Sequence, residues 1–269
     1  MPLADYDTYQ TPERRRRTLL ALLSPWPELS FYLPVVGVVF RSSFLAVRGR
    51  YDAEAWVAAS MGIIRAMEGV GMRLTVEGMG HLREVSGPAV IVGNHMSTLE
   101  TFVLPSIVQP VRPMTFVVKE SLIRYPVFGP VVRARDPIVV GRKNPRQDLI
   151  TVLQGGQDRL SRGVSVVVFP QTTRTARFDP AQFNTIGVKL ALRAGVPVIP
   201  LALKTDAWGN GKHIRDFGHV DPSLPVRFRF GAPIAPEGRG AEAHQMVIRF
   251  IQGALDEWSA PCRSGATVG

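Results

Sequence analysis

Two residues in this 269-residue chain have the types and spacing for proton-transfer chemistry: His95 and, five positions later, Glu100. They lie in the stretch Pro88 to Thr101, PAVIVGNHMSTLET. A carboxylate bound to one imidazole nitrogen fixes the tautomer and stabilises the imidazolium, which leaves the other nitrogen free to take a proton. That is the equipment of a general base. A plainer role is open to the same residues. Ser97-x-x-Glu100 is also a capping box, in which the carboxylate serves the Ser97 backbone N–H at a helix start and nothing more.

The elements that must position the pair are readable around it. Ala89 to Val92 is a short apolar run bounded by Pro88 and Gly93, the pattern of a buried strand. Ser97 is a suitable N-cap, and Leu99, Phe102 and Val103 follow at helical spacing. His95 is therefore expected in a turn after a strand, at the edge of a sheet. Further strands are expected at Arg73 to Val76, Thr115 to Val118, Ile138 to Val140, Val164 to Phe169, Val198 to Leu203 and Val226 to Phe230. Helical patterns cover Asp52 to Glu68, Leu99 to Val108, Arg146 to Ser161, Ala181 to Ala194 and Gly240 to Trp258. This alternation predicts an α/β domain with a mostly parallel central sheet flanked by helices. The expected division is a basic and apolar segment over 1–50, the α/β domain over 51–258 and a flexible tail over 259–269.

The net charge of +10, with arginine far outnumbering lysine, favours anionic partners such as a phospholipid surface, phosphorylated substrates or nucleic acid. Nucleic acid is set aside, since no aromatic-basic platform or recognisable motif accompanies the charge. Cys262 is the single cysteine, which excludes a disulfide framework and a Cys-rich metal site. His81, His213, His219 and His244 show no spacing that suggests metal ligation, and no Gly-rich nucleotide loop is present. Residues 1–13 read as disordered, and Arg14 to Arg17 precede a Pro-interrupted apolar region from Leu19 to Val47. Its longest uncharged stretch, Leu29 to Phe40, is shorter than the roughly 20 residues that span a bilayer. The region is expected either to lie in a membrane interface, with Trp26, Phe31 and Tyr32 at the boundary, or to form a buried hairpin over the core.

Asn94-His95-x-Ser97-x-x-Glu100 resembles the first motif of the glycerophospholipid acyltransferase family, usually Asn-His-x-Ser-x-x-Asp. It is similar too to the motif of the late acyltransferases of lipid A. Lys119-Glu120-Ser121-Leu122, Pro126-Val127-Phe128-Gly129 and Arg142 after a short strand resemble the family's second motif. Phe169-Pro170-Gln171-Thr172-Thr173-Arg174-Thr175 resembles its third, usually Phe-Pro-Glu-Gly-Thr-Arg-Ser, with Gln171 and Thr172 as departures. Ala194-Gly195-Val196-Pro197-Val198-Ile199-Pro200-Leu201 resembles its fourth. Asn184 departs from a common Phe-Lys pattern just before it.

The resemblance implies acyl transfer from acyl-CoA or acyl carrier protein to the hydroxyl of a lysolipid-like acceptor, with no metal or other cofactor. In that frame His95 is the base and Glu100 its orienting carboxylate, while Asn94, Ser97, Lys119, Arg142, Gln171, Thr173 and Arg174 bind substrate. Gln171, standing where a Glu would orient Arg174, is expected either to retune the acceptor site or to be a neutral change in a turn that Phe169 and Pro170 already fix. The expected location is the cytoplasmic face of the cell membrane, peripheral or monotopic. The same chemistry on a lyso-ornithine lipid or a glycolipid, or a non-catalytic lipid-binding module, remains open at this stage.

Overall fold

The computed structural model describes residues 7–13, 26–171, 173–211 and 216–260. Arg14 to Arg17, Thr172, His213 and Cys262 lie outside these residues. Among the described residues, eight strands form one sheet: β1 (Tyr9–Gln10), β2 (Leu74–Glu77), β3 (Val90–Gly93), β4 (Met114–Lys119), β5 (Ile138–Val140), β6 (Ser165–Val168), β7 (Val198–Lys204) and β8 (Val226–Phe230). Their order across the sheet is β1-β2-β8-β7-β3-β6-β4-β5. The block β7-β3-β6-β4-β5 is parallel throughout. The pair β2 and β8 runs the other way, because β8 is antiparallel to β7 and parallel to β2.

Eight helices accompany the strands among the described residues: α1 (Pro27–Val47), α2 (Ala53–Gly69), α3 (Leu99–Val108), α4 (Glu120–Ile123), α5 (Phe128–Arg133), α6 (Pro145–Ser161), α7 (Ile186–Ala194) and α8 (Ala241–Ser259). Strand alternation divides the interior into two cores. Ile91 and Val167 point toward the core built with α2 and α3, whereas Val90, Val92, Val166 and Val168 point toward α6, α7 and α8. Strand β3 is buried on both faces, as the central strand of a parallel block must be.

Helix α3 is seated by an inserted hydroxyl. Pro105 lies inside it, and the Ser60 side chain of α2 bridges the gap. Ser60 Oγ donates to Phe102 O at 2.6 Å and accepts from Ser106 N at 3.0 Å. A hydroxyl standing in the helical ladder fixes α3 against α2, and with it the start of α3 near His95.

Three expectations need correction. Residues 9 and 10 pair with β2, while Tyr9 Oη and Thr11 Oγ1 donate to the buried Glu68 carboxylate at 2.6 and 2.9 Å, so this part of 1–13 is ordered. Ala181 to Ala194 is not one helix: a 3-10 turn at Pro180–Gln182 precedes α7. The described part of the apolar region is longer than its uncharged stretch suggested, because Pro27–Val47 is one 21-residue helix through Pro34 and Arg41; the hairpin alternative also needs residues 19–25, which lie outside the described residues. At a rise of about 1.5 Å per residue it is roughly 30 Å long, enough by length and composition to cross a membrane. One side packs on the domain: Phe31 is fully buried at 4.8 Å from the Trp208 ring, and Tyr32 Oη donates to Gly218 O at 2.6 Å. Burial pushes the Tyr32 phenol up to about 12, which keeps that donor protonated. The other side leaves Trp26, Leu29, Leu33, Phe40, Phe44 and Val47 exposed.

Candidate active site

Strand β3 delivers His95 to the carboxyl end of the parallel block, where open α/β sheets gather their sites. Asn94 prolongs the strand with its side chain. Its Nδ2 donates to Leu203 O and its Oδ1 accepts from Leu203 N, both at 2.8 Å, which locks the turn to β7.

Glu100 makes both of the contacts open to it, with the Ser97 N–H and with the His95 ring. Its Oε1 accepts from Met96 N at 2.7 Å, Ser97 N at 2.9 Å and Thr205 Oγ1 at 2.6 Å. Its Oε2 lies 2.6 Å from His95 Nδ1. The carboxylate is fully buried and held by three donors on one oxygen, so the other has a fixed direction. The His95 ring is 14% exposed and stacks on Phe169 at 4.5 Å and 6°. With Nδ1 engaged, Nε2 is the ring nitrogen left to exchange a proton.

His95 lies on the wall of a cavity of about 730 Å³. Lys119, Arg142, Gln171, Thr173 and Arg174 line the same cavity. Its walls include Phe102, Phe116, Val131 and Trp56, and the α1 residues Val38, Val39 and Ser42. Tyr51 and Arg135 also line it, the latter stacked over Trp56 at 4.5 Å; burial pushes the Tyr51 phenol up and the Arg135 guanidinium down. Arg142 stands in left-handed backbone (φ 56°), a conformation a non-glycine residue rarely adopts.

Several expected substrate contacts have other employment. Asn94 and Ser97 are buried behind the site; Ser97 Oγ accepts from Leu99 N at 3.1 Å, but the N-cap of α3 is Thr98 rather than the expected Ser97. Gln171 touches the His95 loop rather than Arg174: its Oε1 accepts from His95 N at 2.6 Å, and its Nε2 donates to Thr175 Oγ1 at 2.7 Å. Thr175 N in turn donates to His95 O at 3.0 Å. Asn184 Oδ1 accepts from Ile186 N at 2.9 Å just ahead of α7, and its Nδ2 donates to Pro170 O. Arg174 pairs with Asp216 at 2.7 Å and bonds Thr98 Oγ1.

Thr205, Asn210 and Asp216 were not anticipated. All three lie after β7, and Asn210 Nδ2 donates to Met96 O at 2.9 Å. The segment carries no recognisable motif. Only the position of Thr205 just past an expected strand end would have singled it out.

A family model described as an acyltransferase matches residues 73–204. Fold, motif order and this match define the class as an acyltransferase. The 1-acyl-sn-glycerol-3-phosphate acyltransferase of Pseudomonas aeruginosa is 30% identical over 238 residues, covering 87% of this chain and 86% of that protein. The Escherichia coli protein of the same name is 30% identical over 122 residues, 45% of this chain and 49% of its own length. The crystal structure of the 1-acyl-sn-glycerophosphate acyltransferase of Thermotoga maritima superposes with a TM-score of 0.65 at 22% identity, over 87% of this chain and 95% of that one. The chain belongs to the 1-acyl-sn-glycerol-3-phosphate acyltransferase family.

Proposed function

We propose that the protein transfers a fatty acyl group from an acyl thioester, on coenzyme A or acyl carrier protein, to the free hydroxyl of a lysophospholipid, with 1-acylglycerol-3-phosphate as the acceptor named by its relatives. The observation that carries this reading is the 2.6 Å contact between His95 Nδ1 and the buried Glu100, at the wall of a largely apolar cavity. His95 Nε2 takes the hydroxyl proton as the oxygen attacks the thioester carbonyl carbon. The tetrahedral intermediate then collapses, the C–S bond breaks, and the imidazolium returns the proton to the departing thiolate. Glu100 balances the imidazolium charge without itself being protonated. Lys119, Arg142 and Arg174 supply cations for phosphate groups on donor or acceptor. Holding both substrates in one groove supplies much of the rate.

The exposed apolar side of α1 supports a monotopic arrangement. Its opposite side is committed to Phe31, Tyr32 and Trp208, so the helix lies along the domain and offers Leu33, Phe40 and Phe44 to the lipid. Acceptor and product are then reached from the membrane surface. Purified protein incubated with acyl-CoA or acyl carrier protein and a panel of lysolipids, with products resolved by mass spectrometry, tests the reading. A diacyl product with free thiol released in equal amount is expected; no transfer from either donor to any lysolipid refutes it.

A further inference from the structure

Arg174 is the cation nearest in role to an acceptor's anion, yet its charge is already answered. Its Nη2 lies 2.7 Å from Asp216 Oδ1 and its Nη1 donates to Thr98 Oγ1, while the Thr98 hydroxyl donates to the same Asp216 oxygen at 3.0 Å. The three side chains close a ring. Arg174 and Asp216 both line the cavity that holds His95, and they remain 16% and 24% exposed. The carboxylate therefore stands where a bound headgroup would approach the guanidinium.

Asp216 is held from its C-terminal side. The residues that follow it are fastened to α1: Phe217 packs on the Tyr32 ring at 5.3 Å, Gly218 O accepts from Tyr32 Oη at 2.6 Å, and His219 Nδ1 lies 2.6 Å from Glu28 Oε1. A carboxylate braced from outside and paired inside is a fixed element of the site's charge.

We propose that Asp216 is a specificity-determining residue, the counter-ion that an acceptor's anionic headgroup must displace from Arg174 before the acceptor hydroxyl is seated beside His95. The proposal rests on the lysophospholipid reading above. Two anions competing for one guanidinium weaken each other, and the penalty grows with the charge of the incoming group. A phosphate monoester meets it in full. A zwitterionic headgroup meets less of it, because its own cation approaches Asp216 favourably. Asparagine at this position keeps an oxygen for Thr98 and Arg174 and removes only the charge.

The test compares full-length wild type with Asp216→Asn, and with Asp216→Ser as a second variant should the first lose its circular dichroism signature. Equilibrium binding of lysophosphatidic acid and of lysophosphatidylethanolamine with the same acyl chain is measured without any acyl donor. Acceptor kinetics follow. Removing the charge should tighten lysophosphatidic acid binding by about tenfold and lysophosphatidylethanolamine binding by less than about threefold. The KM for lysophosphatidic acid should fall in parallel, with kcat within a few-fold. Unchanged or weaker lysophosphatidic acid binding in the variants, or an equal shift for both lipids, overturns the proposal. A wild type that binds the lipids but transfers nothing refutes the acyl-transfer reading and still leaves the binding ratio to decide on Asp216. Failure of every form to bind either lipid overturns both.

Discussion

Gln171 Oε1 accepts a hydrogen bond from the backbone N–H of His95 at 2.6 Å, so the third sequence motif grips the first through its most unusual residue. The second half of that amide matters as much. Nε2 donates to Thr175 Oγ1, whose own hydrogen goes to Arg177 O at 2.8 Å. A glutamate here keeps the bond to His95 but has no hydrogen for Thr175, which must then turn its hydroxyl away from Arg177.

The substitution Gln171→Glu should accordingly cost about 1 kcal/mol of stability, the usual net value of one hydrogen bond, and leave the ranking of acceptor lipids unchanged. Gln171→Leu should cost more, about 1–3 kcal/mol, because the His95 N–H is left without its partner. Thermal denaturation and acceptor competition assays check both. A shift of Gln171→Glu toward lysophosphatidic acid would place this side chain against the acceptor after all.

Much of the frame was readable in the sequence because it rests on local pattern. Ile138 to Val140, Val226 to Phe230 and Leu99 to Val108 appear with the expected bounds, since each is an apolar or periodic run closed by breakers. The His95–Glu100 pair was readable for the same reason, being five residues apart on one turn. Interactions distant in sequence were not readable. Tyr9 meets Glu68 across 59 positions and Arg174 meets Asp216 across 42, and Tyr9, Glu68 and Asp216 belong to no motif. Pro34 and Arg41 read as interruptions of the N-terminal region. Both lie within α1, where Pro34 follows Leu33 on a helix that is only partly packed.

The exposed side of α1 makes a prediction that deletion of the helix could not test, because Phe31 belongs to the core. Changing Leu33, Phe40 and Phe44 together to serine should leave the fold intact and reduce sedimentation with anionic vesicles by more than about tenfold. Each side chain that enters an apolar phase contributes roughly 1.5–3 kcal/mol. Undiminished vesicle binding would move the membrane contact elsewhere on the protein.

Ser60→Ala removes the hydroxyl that stands between Phe102 O and Ser106 N in α3. Both backbone groups would be left buried without a partner, at a cost of about 1–3 kcal/mol. Denaturant titration should show a lower midpoint with an unchanged slope. A midpoint equal to wild type would mean that α3 closes its own ladder across Pro105.

The central claim is that His95 is the base and that Glu100 sets its tautomer. In Glu100→Gln the amide oxygen can still serve Met96 N, Ser97 N and Thr205 Oγ1, which turns the NH₂ group toward His95 Nδ1. Nδ1 must then accept, and Nε2 carries the proton it should be free to take. The direct measurement is the rate of acyl transfer from acyl-CoA and from acyl carrier protein to lysophosphatidic acid by wild type, His95→Ala and Glu100→Gln, with circular dichroism recorded for each. Both variants should keep the fold and lose about 10²–10⁴-fold in kcat. A folded His95→Ala protein within a few-fold of wild type would contradict the mechanism.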